Sequence, residues 1–267
     1  MKISVVTPSY NQGRFIQKCI DSVKAQQGVQ VEHIILDNCS TDQTVDLLNK
    51  YRNDPQGVDV KIIIEPDKGQ TAAINRGFLM ATGDVVCWLN TDEYYDTDAL
   101  AKVISYFEKN SYIDFLFGNC TYVDENGHPV RRQREVGFSR SMLLYTGCFI
   151  RSCSAFVRRR IINDGQLLNE KYKVTMDFEW YVRLAYSDYQ FAFTPLSVAY
   201  FTWHNENLSV LHTARRHIES AMVRDKFSGI RGPKLFRLTF YKLIKVYWLF
   251  IRIFLRSFSR TIYFNLS

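Results

Sequence analysis

Gly83–Glu93 reads GDVVCWLNTDE. The apolar run VVCWL, introduced by Gly83-Asp84, carries two β-branched residues and an aromatic, the composition of a buried strand. It stops at Asn90, and Thr91, Asp92 and Glu93 follow at once. Carboxylates placed where a buried strand ends lie at the carboxyl edge of a sheet, where open α/β sheets bind ligands. Asp92 and Glu93 are hard oxygen donors of the kind that Mg²⁺ or Mn²⁺ takes alongside substrate phosphates. The competing reading is structural: Asn90–Asp92 is a turn and N-cap, with Asp96 or Thr97 starting the next helix.

Working outward, the preceding segments repeat the same grammar. Ile3–Val6, Val31–Leu36 and Val60–Ile64 are strand-like, and each runs into a polar segment: Thr7-Pro8-Ser9-Tyr10-Asn11, Asp37–Asp42, and Glu65–Gln70. Helical spacing follows each, as in Phe15, Ile16, Cys19, Ile20 and Val23. Four strand–helix alternations predict parallel βαβ units in a doubly wound α/β sheet. Right-handed crossovers then gather all four polar loops on one edge. The first loop has no GxGxxG and no Walker lysine, so a dinucleotide fold or P-loop lacks its fingerprint. A diphosphate bound here would need another neutralising group, such as a divalent cation on Asp92. After a helix near Ala99–Phe107, the pattern changes to a hairpin (Phe115–Val123, Val130–Glu135), short strands at Ala155–Val157, Phe191–Thr194 and Ser197–Trp203, and helices at Asp177–Leu184 and Ala214–Phe227. This second half reads as an antiparallel addition to the same sheet.

Composition is that of a globular protein: 46% hydrophobic and 23% charged over 267 residues. Lys and Arg number 34 against 27 Asp and Glu, and the location of the surplus matters. From Lys234 onward lie Lys234, Arg237, Lys242, Lys245, Arg252, Arg256 and Arg260, with no acid. These seven equal the formal excess of +7, so the remainder is neutral and a generally basic nucleic-acid-binding domain is not supported. The six cysteines form no CxxC pair and read as free thiols of a reducing compartment. MKISVVTPSY reads as a strand, not a signal peptide, so a cytoplasmic location is expected. Trp88, Trp180 and Trp203 read as core residues, and Arg158-Arg159-Arg160 as a solvated face.

Taken together, SVVTPSYNQGRFI, ILDNCSTDQT, DKGQTAAINRGFLMATGD, WLNTDE and MDFEWYVRL resemble family 2 glycosyltransferases with the GT-A fold, over residues 3 to 210. The resemblance implies an inverting transfer from a nucleotide-diphosphate sugar, of UDP or dTDP type, with Mg²⁺ or Mn²⁺. It implies that Thr7, Pro8 and Tyr10 frame the base and that Asp37 accepts from the pyrimidine N–H. Asp67 and Gln70 would lie near the nucleotide, with Asn75 in the same segment. Asn90-Thr91-Asp92 stands at the DxD position and departs from it at the first acid, leaving Asp92 as metal ligand and Asn90 and Thr91 as nucleotide contacts. Asp177 corresponds to the catalytic base, with Glu179 the second choice; as a plain residue Asp177 would be a helix N-cap. His204 would reach the metal or diphosphate, or else pack in the core. Two rivals stay open: a sugar-nucleotide nucleotidyltransferase and a non-catalytic nucleotide-sugar-binding scaffold.

The expected division is a catalytic domain over 1–232 and a basic amphipathic helix over 233–267. On a helical wheel six of the seven cations fall in one arc, with Arg237 beside it. A spanning helix needs about 20 apolar residues without such charges. A basic stripe on an aromatic face suits a helix lying in an anionic membrane surface, beside a lipid-linked saccharide acceptor at the inner face of the cell membrane. Packing on the domain or on a second subunit is the alternative.

Overall fold

The computed structural model describes residues 1–135 and 137–264, with backbone alone for 209, 234 and 257–264. The side chains of Lys234 and Arg260 therefore lie outside the described residues, as does 265–267 of the expected tail.

The first half follows the repeating pattern. Strands β1 (Lys2–Ser9), β2 (Gln30–Asp37), β3 (Asp59–Ile64) and β4 (Val85–Trp88) alternate with helices α1 (Ile16–Lys24), α2 (Thr44–Asn53) and α3 (Gln70–Met80). β1 lies between β2 and β4, and β3 pairs with β2, all parallel. Helix α1 buries the stripe its spacing predicts, with Ile16, Cys19, Ile20 and Val23 all buried, whereas Leu79 of α3 is exposed. α3 crosses β1 so closely that a Cβ on Gly77 would stand 2.3 Å from Val6 Cγ1, so any larger residue there overpacks the core. β1 extends further than its apolar run, taking Thr7, Pro8 and Ser9 into the strand, because the ladder with β2 continues to Ser9–Asp37.

Next come β5 (Glu93–Tyr95), α4 (Ala99–Lys109), β6 (Phe115–Val123), β7 (Pro129–Arg132), α5 (Arg140–Thr146), β8 (Ala155–Arg158), α6 (Arg159–Asn163), α7 (Met176–Ala185), β9 (Phe191–Thr202), α8 (Leu208–Leu211), α9 (Thr213–Phe227) and α10 (Lys234–Phe264). The sheet order is β3-β2-β1-β4-β8-β6-β9-β5, with β7 on β6. The added half is mixed, not antiparallel throughout. β8 opposes both β4 and β6, but β6 and β9 run parallel. The two segments expected around Pro195 form one strand, which passes the proline through register shifts at Phe117–Cys120 of β6. α4 starts after Asp98, whose left-handed φ of 55° turns the chain, and neither Asp96 nor Thr97 is its first residue.

Two layers of core cover the sheet. One centres on Phe78, Trp88, Phe115, Trp180 and Tyr181 beneath α3, α5 and α7; the other lies beneath α1 and α4. Trp203, expected inside, is 49% exposed. Within Arg158–Arg160, Arg158 and Arg160 are tied to the fold, although the Arg160 side chain stays exposed. Arg158 donates to the carbonyls of Phe107, Asn110 and Ile113, and Arg160 pairs with buried Asp114. All six cysteines are free, four of them buried, with Cys39 exposed.

Helix α10 corrects the placement of the basic stripe. Arg252 and Arg256 turn onto the buried carboxylate of Glu135, and Arg237 pairs with Asp225 of α9. Tyr241 is buried and donates to Asp225; Trp248 Nε1 donates to Ser141 of α5. Part of the stripe is thus consumed by docking.

Glu32 of β2 ties the far end of the sheet. Burial alone would raise its carboxyl, but hydrogen bonds from Lys61, Ser4 and Thr82 outweigh this and hold it down to about 2. A depressed folded value means that the stabilisation is present above the ordinary 4.5 and is lost as pH falls toward 2. Glu32→Gln is expected to cost about 2 kcal/mol at neutral pH. Urea denaturation at neutral pH and near pH 3 checks this: wild type loses stability on acidification, and the variant loses measurably less.

Candidate active site

The carboxyl edge of β1–β4 opens into a cleft of about 460 Å³, the size of a small-ligand site. Its lining includes Pro8, Ser9, Tyr10, Asn38, Asp67, Gln70, Asn90, Thr91, Asp92, Arg151, Ser152, Asp177, His204 and Asn207. Residues from seven separate stretches of chain thus meet where the loops gather.

The floor is built from hydrogen-bonded loops. Asp37, at the end of β2, is buried and accepts from Ser9 Oγ at 2.8 Å, Ser40 N at 2.8 Å and Ser40 Oγ at 2.6 Å. It therefore clamps the first two loops together and is not among the cleft-lining residues. Asn38 Oδ1 accepts from Asp67 N, and Asp67 Oδ1 accepts from Gly69 N, which brings the third loop alongside. Gly69 sits at φ 104°, a turn that glycine makes without strain, and the chain enters α3 at once. Gln70 Nε2 then donates to Asn90 Oδ1 at 2.9 Å, joining the third loop to the fourth.

At the end of β4 the two acids separate. Glu93 turns inward, where its carboxylate accepts from Asn90 N and Ser152 Oγ. Burial, and then the neighbouring Asp92 charge, push it up to about 8. Asp92 faces the cleft. Its Oδ2 lies 2.9 Å from His204 Nε2 and accepts from Asn207 Nδ2 at 3.1 Å. Asn207 Oδ1 in turn accepts from His204 N, and the Phe15 ring packs 4.9 Å from the imidazole. His204 Nδ1 is buried without a partner.

A divalent cation here would draw its protein donors from this set. Among the described residues no group of three or more His, Cys, Asp or Glu is arranged to hold a metal. Mg²⁺ and Mn²⁺ sites commonly take one or two protein carboxylates and fill the rest with substrate phosphates and water. A carboxylate with no Lys or Arg partner among the described residues, beside an imidazole at 2.9 Å on the cleft wall, fits that arrangement.

Asp177 reaches the cleft from the first turn of α7. It does not cap the helix: Thr175 holds the N-cap position. Burial raises its carboxyl, against the opposing pull of Phe178 N and the Arg151 charge. Arg151 is the one permanently charged cation among the described lining residues, beside the acids Asp67, Asp92, Asp177 and Glu206. Its Nε is buried with no partner. The sequence reading missed Arg151 and Asn207. No motif marks either, and only the pairing of β8 with β4, together with the return of the chain after β9, brings them in.

Besides Asp37, three expected residues are placed elsewhere. Thr7 is buried and bonds His33 Nε2 at 2.9 Å inside the sheet. Asn75 grips the backbone of Leu168 through both its amide groups, fixing α3 to the loop before α7. Glu179 is fully buried, paired with Arg183 and Lys226, and has no route to the cleft as a base.

The cleft at the carboxyl edge thus brings together an acid–imidazole pair, Asp92 and His204, and a separate carboxylate, Asp177. The profile of glycosyl transferase family 2 matches residues 4–165, and the chain belongs to that family. It is 30% identical over 172 residues to an uncharacterized glycosyltransferase of Nostoc sp., covering 61% of this chain and 52% of that one. It is 28% identical over 186 residues to chondroitin synthase of Pasteurella multocida, covering 68% of this chain and 19% of the relative. The chain thus spans about half or less of the length of these relatives. In fold it is similar to S. aureus TarS 1–349 in complex with UDP-GlcNAc, with a TM-score of 0.70, 21% identity, and coverage of 100% of this chain and 76% of TarS.

Asp92→Asn keeps the size of the side chain and removes its charge. UDP with Mn²⁺ is expected to raise the melting temperature of wild type, and EDTA to reverse the rise. The variant is expected to show neither change; a full UDP–Mn²⁺ shift in the variant would remove Asp92 from the metal site.

Proposed function

We propose that this domain is an inverting glycosyltransferase. It moves a sugar from a UDP- or dTDP-linked donor to a hydroxyl of a lipid-linked saccharide, in the synthesis of a bacterial surface polysaccharide. The observation that carries the reading is the meeting of Asp92–His204–Asn207 and Asp177 in one cleft, with Asp92 and His204 112 residues apart in sequence. Support for a polysaccharide product comes from the similarity to chondroitin synthase.

The donor base would lie by Pro8, Ser9 and Tyr10, with Asn38 and Asp67 beside it. Asp92 and His204 are the residues that would hold Mg²⁺ or Mn²⁺, which when bound neutralises charge on the leaving diphosphate. Asn90 is held by Gln70 and completes the polar wall, so its exchange for the usual acid leaves the turn intact. Asp177 takes the proton of the acceptor hydroxyl as that oxygen bonds the anomeric carbon and the bond to the diphosphate breaks. One displacement inverts the centre and needs no protein nucleophile. A carboxylate made more basic by burial suits that task, and Arg151 keeps it ionised. A cytoplasmic, membrane-peripheral location follows from a lipid-linked acceptor.

Asp177→Asn is expected to lower kcat by about 10²–10⁴-fold while donor KM stays near wild type. Measuring sugar release or transfer from a UDP-sugar panel checks it; unchanged kcat removes the base assignment.

Arg151→Gln withdraws the cation that holds Asp177 down. The acid limb of the kcat–pH profile is expected to move to higher pH, because the base must lose its proton to act. Arg151→Lys is expected to bring the limb most of the way back.

A further inference from the structure

Part of the basic stripe of α10 is turned to the domain and not outward, while its apolar face stays exposed. Arg237, Tyr241, Ile244, Trp248, Arg252 and Arg256 recur every three or four residues and form the face turned to the domain. Half a turn away lies a second row, Leu235, Phe236, Leu243, Val246, Tyr247 and Phe250. These are exposed, Leu235 to 77%, Phe250 to 69% and Leu243 to 64%. From Leu235 to Phe250 the row runs about 22 Å at 1.5 Å per residue. Such a row is far larger than the scattered apolar residues of an ordinary surface.

Charge identifies what covers it. Lys242 and Lys245 are exposed and stand between the docked face and the apolar row. No acid occurs anywhere in Lys234–Phe264. A protein partner must bury such a row against its own apolar surface and then answer two lysines; an anionic bilayer does both at once, taking side chains between acyl chains and lysines among headgroups. No helix among the described residues is long and apolar enough to cross a membrane, so the contact is interfacial.

We propose that α10 is a docked membrane foot: its arginines bolt it to the catalytic domain through Glu135 and Asp225, and its outward apolar row inserts into the surface of an anionic bilayer. The attachment runs back toward the cleft through hydrogen bonds. Glu135 also accepts from Gln133, and Gln133 donates to the Phe149 carbonyl, two residues before Arg151 of the cleft. The foot therefore sets the cleft at a fixed height and tilt above the lipid instead of tethering it by a flexible tail. This inference rests on the proposed membrane-borne acceptor for its purpose, but membrane binding is read without turnover.

The test is co-sedimentation of the full chain with vesicles of phosphatidylcholine, with and without phosphatidylglycerol. Wild type is expected to pellet with the anionic vesicles at low salt. The double variant Leu243→Glu/Phe250→Glu, changed only at exposed positions, is expected to lose binding by about tenfold or more while keeping its UDP–Mn²⁺ thermal shift. Lys242→Glu/Lys245→Glu is expected to abolish the preference for anionic over neutral vesicles. Unchanged vesicle binding in the first variant overturns the insertion. So does a wild type that ignores vesicles and sediments as a dimer that the same variant dissociates, because the row then covers a second copy. Loss of donor hydrolysis in Asp177→Asn with intact vesicle binding would bear on the transferase reading alone.

Discussion

The parallel ladder that β1 makes with β2 on one side and β4 on the other orders the rest of this structure. Parallel neighbours point every strand end the same way, so the polar segments after them have no choice but to converge. The ladder runs to Ser9 and Asp37, farther than apolar composition alone would carry it. That extension delivers Ser9 to the Asp37 carboxylate and lets one buried acid close the first two loops. An unsatisfied carboxylate in that place would be costly, and three donors remove the cost.

From that edge the cleft is assembled by handing hydrogen bonds from loop to loop. Asn38 holds Asp67, Gln70 holds Asn90, and Asn90 together with Ser152 holds Glu93. Glu93 faces inward and Asp92 outward because they are adjacent at the start of a strand, where successive side chains alternate. One acid thus stiffens the turn while the other stays available to a ligand. The arrangement leaves the cleft rich in acid and short of fixed cations, the reverse of a site that would grip a diphosphate with arginines. A divalent cation suits such a lining, and Arg151 is left to attend to Asp177.

Family membership and the geometry of the cleft address different questions. The profile match covers residues 4–165 and so stops before Asp177 and His204. These two come from the second half, where β9 and α7 are set by packing on α5, α9 and the aromatic cluster around Trp180. Asn75, Thr7 and Glu179 lie in recognisable segments yet serve the scaffold, each spent on a buried partner. A segment can belong to a family while its polar residues divide between ligand and frame.

Sequence by itself determined the alternation of the first four strands, the edge on which their loops meet, and Asp92 as a candidate; Asp177 was added only by the family resemblance. Those are local matters: periodicity and the residues that end strands. Tertiary structure decided which of the polar residues are spent. Asp37 and Asn75 read as ligand contacts until their partners, Ser40 and Leu168, are seen. It also decided which side of α10 faces outward. A helical wheel shows two faces but not which one finds a counter-charge. Glu135 and Asp225 lie in other elements, and only folding places them where Arg252, Arg256 and Arg237 can reach. Pairing those arginines on the domain leaves the apolar row outside, because an ion pair that is partly buried must be completed whereas an apolar face can wait for another surface.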